Sequence, residues 1–271
     1  MDWKALLFIA AAWALLAWMA NRSAFFPMPY PDGNWFLQKE LNTEDVWLRS
    51  GRRRIHGWWK PLDQAPAAVL FLHGNAGNVT HRARHIAAWQ KAGAAILVLD
   101  YRGYGRSEGR PTEAGLYEDA LAGYRYLAGL GFPPARIFVH GESLGTVPAA
   151  HVASQAPVGG LILEAPFPSA RAVAQTVLPL IGPLLVWGLD VNSRLARVRA
   201  PLLVIHGDQD EVIPYRLGRR VFDAAREPKE FWTIPGAGHN DIPETAGPEY
   251  PRRLRAFLEK ALQQQNIPPA D

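Results

Sequence analysis

The chain has 271 residues, 48% of them hydrophobic and 20% charged, with a formal net charge of +4 and no cysteine. That length and composition suit one globular α/β domain around a continuous core and argue against disorder. Without cysteine, disulfides, thiolate metal sites and a cysteine nucleophile are excluded, and the mild charge, scattered over clusters such as Arg52-Arg53-Arg54 and Arg252/Arg253/Arg255 without a recognition motif, argues against nucleic acid as a partner.

The first element is the uncharged run ALLFIAAAWALLAWMA over residues 5–20, with Trp3 and Trp18 near its two ends. It predicts an N-terminal transmembrane helix over residues 3–20, at the short end of the roughly 17–25 residues a bilayer requires. A cleaved signal peptide is the alternative, weakened because the small-x-small pattern meets Trp18 before Ala20 and Arg22 before Ala24. The expected location is therefore a membrane, by a single-pass anchor, or the secreted or periplasmic space if the segment is removed. Lys4 and Arg22 flank the run almost symmetrically and leave its orientation open. Residues 21–44, including the Pro-rich FFPMPYPDG, read as a linker or surface strap.

The main domain is expected over residues 45–262. DVWLRSGRRRIHGWWKP gives two extended runs joined at Ser50-Gly51, a hairpin signal. AVLFLHG, AAILVLDYRG, RIFVHG, GLILEAP and PLLVIHG follow, apolar runs without polar alternation, as suits strands buried on both faces of a parallel sheet. Helical patterns at about 79–92, 112–130, 144–155 and 215–226 alternate with them, and a strand EFWTI and a helix over 248–262 close the domain. The tail, residues 263–271, reads as flexible. Most of the strands end in Gly, Asp or His at the edge where open α/β sheets gather their ligands.

At that edge Gly141-Glu142-Ser143-Leu144-Gly145 lies between a buried strand and a helix, the setting in which G-x-S-x-G forms a nucleophile elbow. A serine hydroxyl needs a base oriented by a third group. Asp210, after PLLVIHG, and His239, after EFWTIP, supply an acid and a base in the chain order of this architecture. Asp208, Glu211 and Asp241 compete for the acid's role. The N–H of Leu144 and that of Asn75, in HGNAGN, are the candidate oxyanion donors. His73, His140 and His206 read as loop-orienting residues, and the His81/His85 pair, although spaced like metal ligands, as a solvated helix face. No metal or cofactor is called for by this chemistry.

FLHGNAGN, LDYRGYGRSEG, VHGESLG, LILEAPF, VIHGDQDEVIP and PGAGHND stand in the order and rough spacing of the α/β-hydrolases, and the chain resembles their small membrane-anchored serine hydrolases, often labelled serine-aminopeptidase-like. The resemblance implies an α/β fold with an eight-stranded, mostly parallel sheet, its second strand antiparallel and helices on both faces. It also implies Ser143, Asp210 and His239 as a catalytic triad, with Tyr101 and Tyr104 in a loop beside the entrance. A small lid is expected over about 167–199, too short for the large cap of prolyl aminopeptidases. Its apolar stretch TVLPLIGPLLVWGL reads either as a buried helix pair or as the lining of an acyl pocket through Leu184 and Trp187. The expected activity is hydrolysis of a small acyl ester, thioester or lipid-like substrate, with a peptidase or a non-catalytic binding protein as alternatives.

Overall fold

The computed structural model describes residues 3–22 and 24–265. Among them one sheet carries eight strands: β1 (Glu44–Ser50), β2 (Arg53–Lys60), β3 (Ala68–Leu72), β4 (Ala95–Leu99), β5 (Ile137–Glu142), β6 (Gly160–Glu164), β7 (Leu202–Gly207) and β8 (Lys229–Ile234). Their spatial order is β1-β2-β4-β3-β5-β6-β7-β8. β2 is antiparallel to both its neighbours and every other pairing from β4 to β8 is parallel, as the resemblance implies. The helices are α1 (Trp3–Arg22), α2 (Leu37–Glu40), α3 (Ala83–Ala92), α4 (Glu113–Gly129), α5 (Thr146–Gln155), α6 (Ala170–Val177), α7 (Gly182–Leu185), α8 (Asn192–Leu195), α9 (Tyr215–Ala224), α10 (Ile242–Ala246) and α11 (Glu249–Gln265).

The uninterrupted apolar strands exist because both faces of the sheet are covered. Leu70, Leu97, Val139 and Leu163 point to one core with Leu116 and Ala120 of α4 and Val147 and Ala150 of α5. Val69, Phe71, Val98 and Ile205 point to the other with Ile86 and Trp89 of α3 and Leu254 and Phe257 of α11. Each fully buried Leu, Val, Ile or Phe contributes roughly 1.5–3 kcal/mol relative to exposure, so burial on both faces dominates the fold's stability and keeps the carboxyl ends of β5, β7 and β8 in a fixed relation.

The expected membrane span is not borne out. Residues 3–22 are helical, but among the described residues no helix is long and apolar enough to cross a membrane. The side chains of residues 4–7, 9 and 18–22 lie outside the described residues. α1 lies against α7 of the lid, and Ala17 is fully buried. Residues 24–34 form a strap lying on the domain rather than a free linker: Tyr30 N–H donates to Gly105 O at 2.7 Å and Gly105 N–H to Met28 O at 2.9 Å. Part of the expected tail, residues 263–265, is the last turn of α11, and residues 266–271 lie outside the described residues.

The segment expected to form a lid folds as α6, α7 and α8 with their connections. Ser169 caps α6 by accepting from Ala172 N–H at 3.3 Å. Beyond that turn the chain does not make the buried helix pair that its composition allows. Leu180 is 88% exposed and Ile181, Leu184 and Trp187 are each more than half exposed, because Pro179, Gly182 and Pro183 divide the run into turns too short to fold back on themselves.

Candidate active site

β5 ends at Glu142, and the chain turns within Ser143–Gly145 into α5. Ser143 carries φ +49°, the left-handed conformation that a non-glycine residue adopts only under constraint from its surroundings. The constraint is the closeness of strand and helix: a Cβ on Gly141 would stand 2.3 Å from Gly145 O, and one on Gly145 would stand 1.9 Å from Leu72 O. Backbone atoms on β3 cannot step aside as a side chain would. Gly145→Ala is therefore expected to lower the unfolding free energy by about 3 kcal/mol or more, read as a lower urea midpoint with an unchanged m-value.

The turn holds Ser143 toward His239, whose Nε2 lies 3.0 Å from Ser143 Oγ, while its Nδ1 lies 2.7 Å from Asp210 Oδ2. Asp210 is fixed in turn by Val212 and Ile213, whose N–H groups donate to Oδ1 at 2.9 and 2.7 Å. His206 Nε2 stands 3.3 Å from Asp210 Oδ2 and 2.9 Å from Ile213 O. Burial alone raises the Asp210 carboxyl's pKa, but hydrogen bonds from His206 and His239 outweigh it and hold the group well below the usual carboxylate range. Burial likewise pushes His239 down, and the hydrogen bond and charge of Asp210, aided by Glu142 and Glu211, overcome it and leave the imidazole raised. The line from carboxylate through imidazole to hydroxyl can carry a serine proton onto His239 and stabilise the resulting imidazolium.

Two of the rival acids are occupied elsewhere. Asp208 accepts from Gly236 N–H and Asp241 from Gly238 N–H, both at 2.7 Å. The turn-forming role that acidic loop residues often play is theirs, and Asp210 is the one that meets His239. Three other polar groupings were not foreseen. Fully buried Asp100, at the end of β4, accepts from Val79 N–H at 2.9 Å and lies 3.4 Å from both His56 and His73. It ties the loops after β3 and β4 together. Arg82 forms an ion pair with Glu142 at 2.7 Å and donates to Ala76 O at 3.0 Å, bridging the elbow and the loop after β3. Glu164 lies 3.1 Å from His85 and also accepts from Tyr250. His85 is thus buried, which corrects the solvated reading for that member of the pair, whereas His81 is exposed. His81 serves as a cap, its Nδ1 accepting from Asn78 N–H at 3.2 Å.

Glu142 bears directly on the imidazole's titration. Its negative charge helps to raise His239, so Glu142→Gln should bring that pKa down. Neutral His239 is the form able to accept a proton, and the acid limb of kcat/KM should therefore move to lower pH in the variant. A limb that stays in place or moves up would refute the electrostatic link.

The loop after β3 abuts the elbow: a Cβ on Gly74 would lie 3.5 Å from Ser143 Cβ, which brings Asn75 to the serine's side. Leu144 directly follows Ser143 in the first helical turn, where backbone N–H groups lack intrahelical partners. Tyr101 and Tyr104 do not line an open entrance. Both are fully buried, their hydroxyls donating to His73 O at 2.9 Å and Asn75 Oδ1 at 2.9 Å. Trp187 lines a cavity of about 730 Å³ together with Phe25, Pro27, Thr112, Glu113 and Val186. Leu184 is not in its wall, and neither Ser143 nor His239 reaches it. The cavity adjoins the site through Ala24, whose carbonyl accepts from Asn75 Nδ2 at 2.7 Å.

The sequence profile of the family described as Serine aminopeptidase, S33 matches residues 63–188. A protein of Mycobacterium tuberculosis is 40% identical over 211 residues, covering 76% of this chain and 75% of the relative. The human α/β hydrolase domain-containing protein 17B is 33% identical over 201 residues, 73% of this chain and 68% of that protein. Among solved structures, an esterase of Pyrococcus furiosus superposes with a TM-score of 0.71 at 22% identity, covering 87% of this chain and 97% of the esterase. The chain belongs to the α/β-hydrolase family.

Proposed function

We propose that this protein is a serine hydrolase that cleaves carboxylic esters or thioesters through an acyl-enzyme. The observation that carries the reading is the continuous Asp210–His239–Ser143 hydrogen-bonded line, at 2.7 and 3.0 Å, on a left-handed serine. Ser143 Oγ attacks the acyl carbon as its proton passes to His239 Nε2, and the carbonyl electron pair moves onto oxygen. Backbone N–H groups of Leu144 and Asn75 receive that oxyanion. Collapse expels the alcohol or thiol, which takes the proton from His239. Water, deprotonated by the same imidazole, then adds to the acyl-enzyme, and the carboxylic acid leaves as Ser143 recovers its proton.

The cavity's mostly hydrocarbon wall favours an acyl chain, and the exposed apolar lid residues give a lipid-like substrate or a bilayer surface a place to rest. A peptidase has one observation in its favour, the Glu113 carboxylate in the cavity wall, where a substrate amine could pair with it. That carboxylate already accepts from the Tyr117 hydroxyl and from Leu189 N–H at 3.0 Å. Comparing acyl p-nitrophenyl esters with aminoacyl arylamides decides the matter: esters turning over faster by orders of magnitude support the proposal, and the reverse order favours the peptidase.

The lid makes a further expectation. Polar replacements of Leu184, Leu185 and Trp187 should reduce turnover of long-chain esters in liposomes about tenfold, as expected for roughly 1.4 kcal/mol of lost apolar contact. Short-chain esters should be affected less than twofold. Equal losses for both would assign the lid a purely structural role.

A further inference from the structure

The loop between β3 and Val79 is held from two sides by one side chain. Asn75 Oδ1 accepts from Phe26 N–H of the strap at 3.0 Å and from the buried Tyr104 hydroxyl at 2.9 Å, and Asn75 Nδ2 donates to Ala24 O at 2.7 Å. A carboxamide has two acceptor lone pairs and a donor in one plane. Aspartate would lose the donor to Ala24, and alanine all three bonds. The rest of the strap is tied to the same loop by Asn78, whose Nδ2 donates to Met28 O at 3.1 Å and Asp32 O at 2.9 Å.

The loop needs such an external hold. Gly74 precedes Asn75 and Gly77, at φ +79°, lies two residues beyond it, so the Asn75-Ala76 segment stands between two glycines, the residues least restricted in φ and ψ. An oxyanion donor is effective only when it is already aimed before charge develops. Fixing the Asn75 side chain at both ends also fixes the peptide that carries its N–H.

We propose that the Asn75 side chain is a clasp through which the N-terminal strap and Tyr104 aim the backbone donor of the oxyanion loop. Asn75, Tyr104 and the strap peptide at Phe26 are thus positioning elements for transition-state binding, an inference that rests on the serine-hydrolase reading above. The strap belongs to the catalytic machinery and does more than connect α1 to the domain.

The test uses the full-length protein and a short-chain ester, p-nitrophenyl butyrate, for wild type, Asn75→Ala, Tyr104→Phe, Phe26→Pro and the double variant Asn75→Ala/Phe26→Pro. Phe26→Pro removes the strap donor and takes no buried side chain away, since Phe26 is 63% exposed. Because the oxyanion forms on the way to the transition state, Asn75→Ala should lower kcat by about 10- to 100-fold with KM within about twofold. Phe26→Pro and Tyr104→Phe should each lower kcat by about 3- to 10-fold by the same argument.

Affinity for a boronic acid should fall in parallel with kcat. Ser143 Oγ adds to the trigonal boron and its proton passes to His239, leaving an anionic tetrahedral boronate that needs the same donors. The double variant should be no worse than Asn75→Ala alone, because both act through one contact. Unchanged kcat in all three single variants, losses confined to KM, or additive losses in the double variant would overturn the clasp while leaving an active wild type and the hydrolase reading intact. A wild type that neither turns over esters nor reacts with a fluorophosphonate would instead sink that reading, and the clasp with it. Should Asn75→Ala fail to fold, Phe26→Pro and Tyr104→Phe decide alone by the same split between kcat and KM.

Discussion

Ser143→Ala and His239→Ala are each expected to reduce ester turnover by about a millionfold, to within the residual activity that binding and oxyanion donors supply alone. The two losses should not add, because a hydroxyl without a base and a base without a hydroxyl fail at the same step. Ser143→Ala replaces a hydroxyl whose partner is His239 Nε2 at 3.0 Å. The alanine methyl also inherits φ +49°, which costs it no more than it costs serine. Its thermal midpoint should therefore stay within a few degrees of wild type, separating loss of chemistry from loss of fold. Steady-state kinetics of the two single variants and the double variant, beside their melting curves, check both parts. Additive losses would mean that the serine and the imidazole serve different steps.

Asp210→Asn should lower kcat by about ten-thousandfold with little change in KM. The direction follows from the hydrogen bonds around the carboxylate. Val212 and Ile213 N–H groups both point at Oδ1, so the oxygen of an asparagine must take that place and its NH2 must take the place of Oδ2. The amide then donates to His239 Nδ1, which becomes the acceptor, and the ring's proton moves to Nε2. An imidazole protonated at Nε2 cannot receive the proton of Ser143. Raising the pH should not restore the rate, since the fault is the tautomer and not the charge. A pH–rate profile of the variant that recovers wild-type turnover in alkali would contradict the assigned geometry.

How much of this could be read beforehand differs from residue to residue, for physical reasons. The runs around Leu70, Val98 and Val139 announced a sheet covered on both faces because burial on both sides removes polar alternation. Gly141, Gly145, Asp210 and His239 were legible because strand ends and glycines are local signals, and the parallel sheet then brings those ends together. Asp100 and Glu164 were not, since a buried carboxylate is recognised by its partners, and His56, His73, His85 and Tyr250 come from distant parts of the chain. The resemblance puts Tyr101 and Tyr104 in a loop beside the entrance, whereas their hydroxyls find acceptors inside and their rings pack against His73. The strap shows the same limit. Its proline-rich composition identifies an extended segment, but only the folded loop after β3 gives the Ala24 and Phe26 backbone an amide to bind.

The most direct test of the account is covalent labelling of the full-length protein with a fluorophosphonate, followed by peptide mass spectrometry, for wild type, Ser143→Ala and His239→Ala. An activated serine attacks phosphorus and expels fluoride, leaving a phosphonyl adduct on the peptide that contains Gly141 to Gly145. The account predicts that adduct on Ser143 in the wild type and none in either variant. A folded wild type that stays unlabelled, or label on a residue other than Ser143, would contradict it.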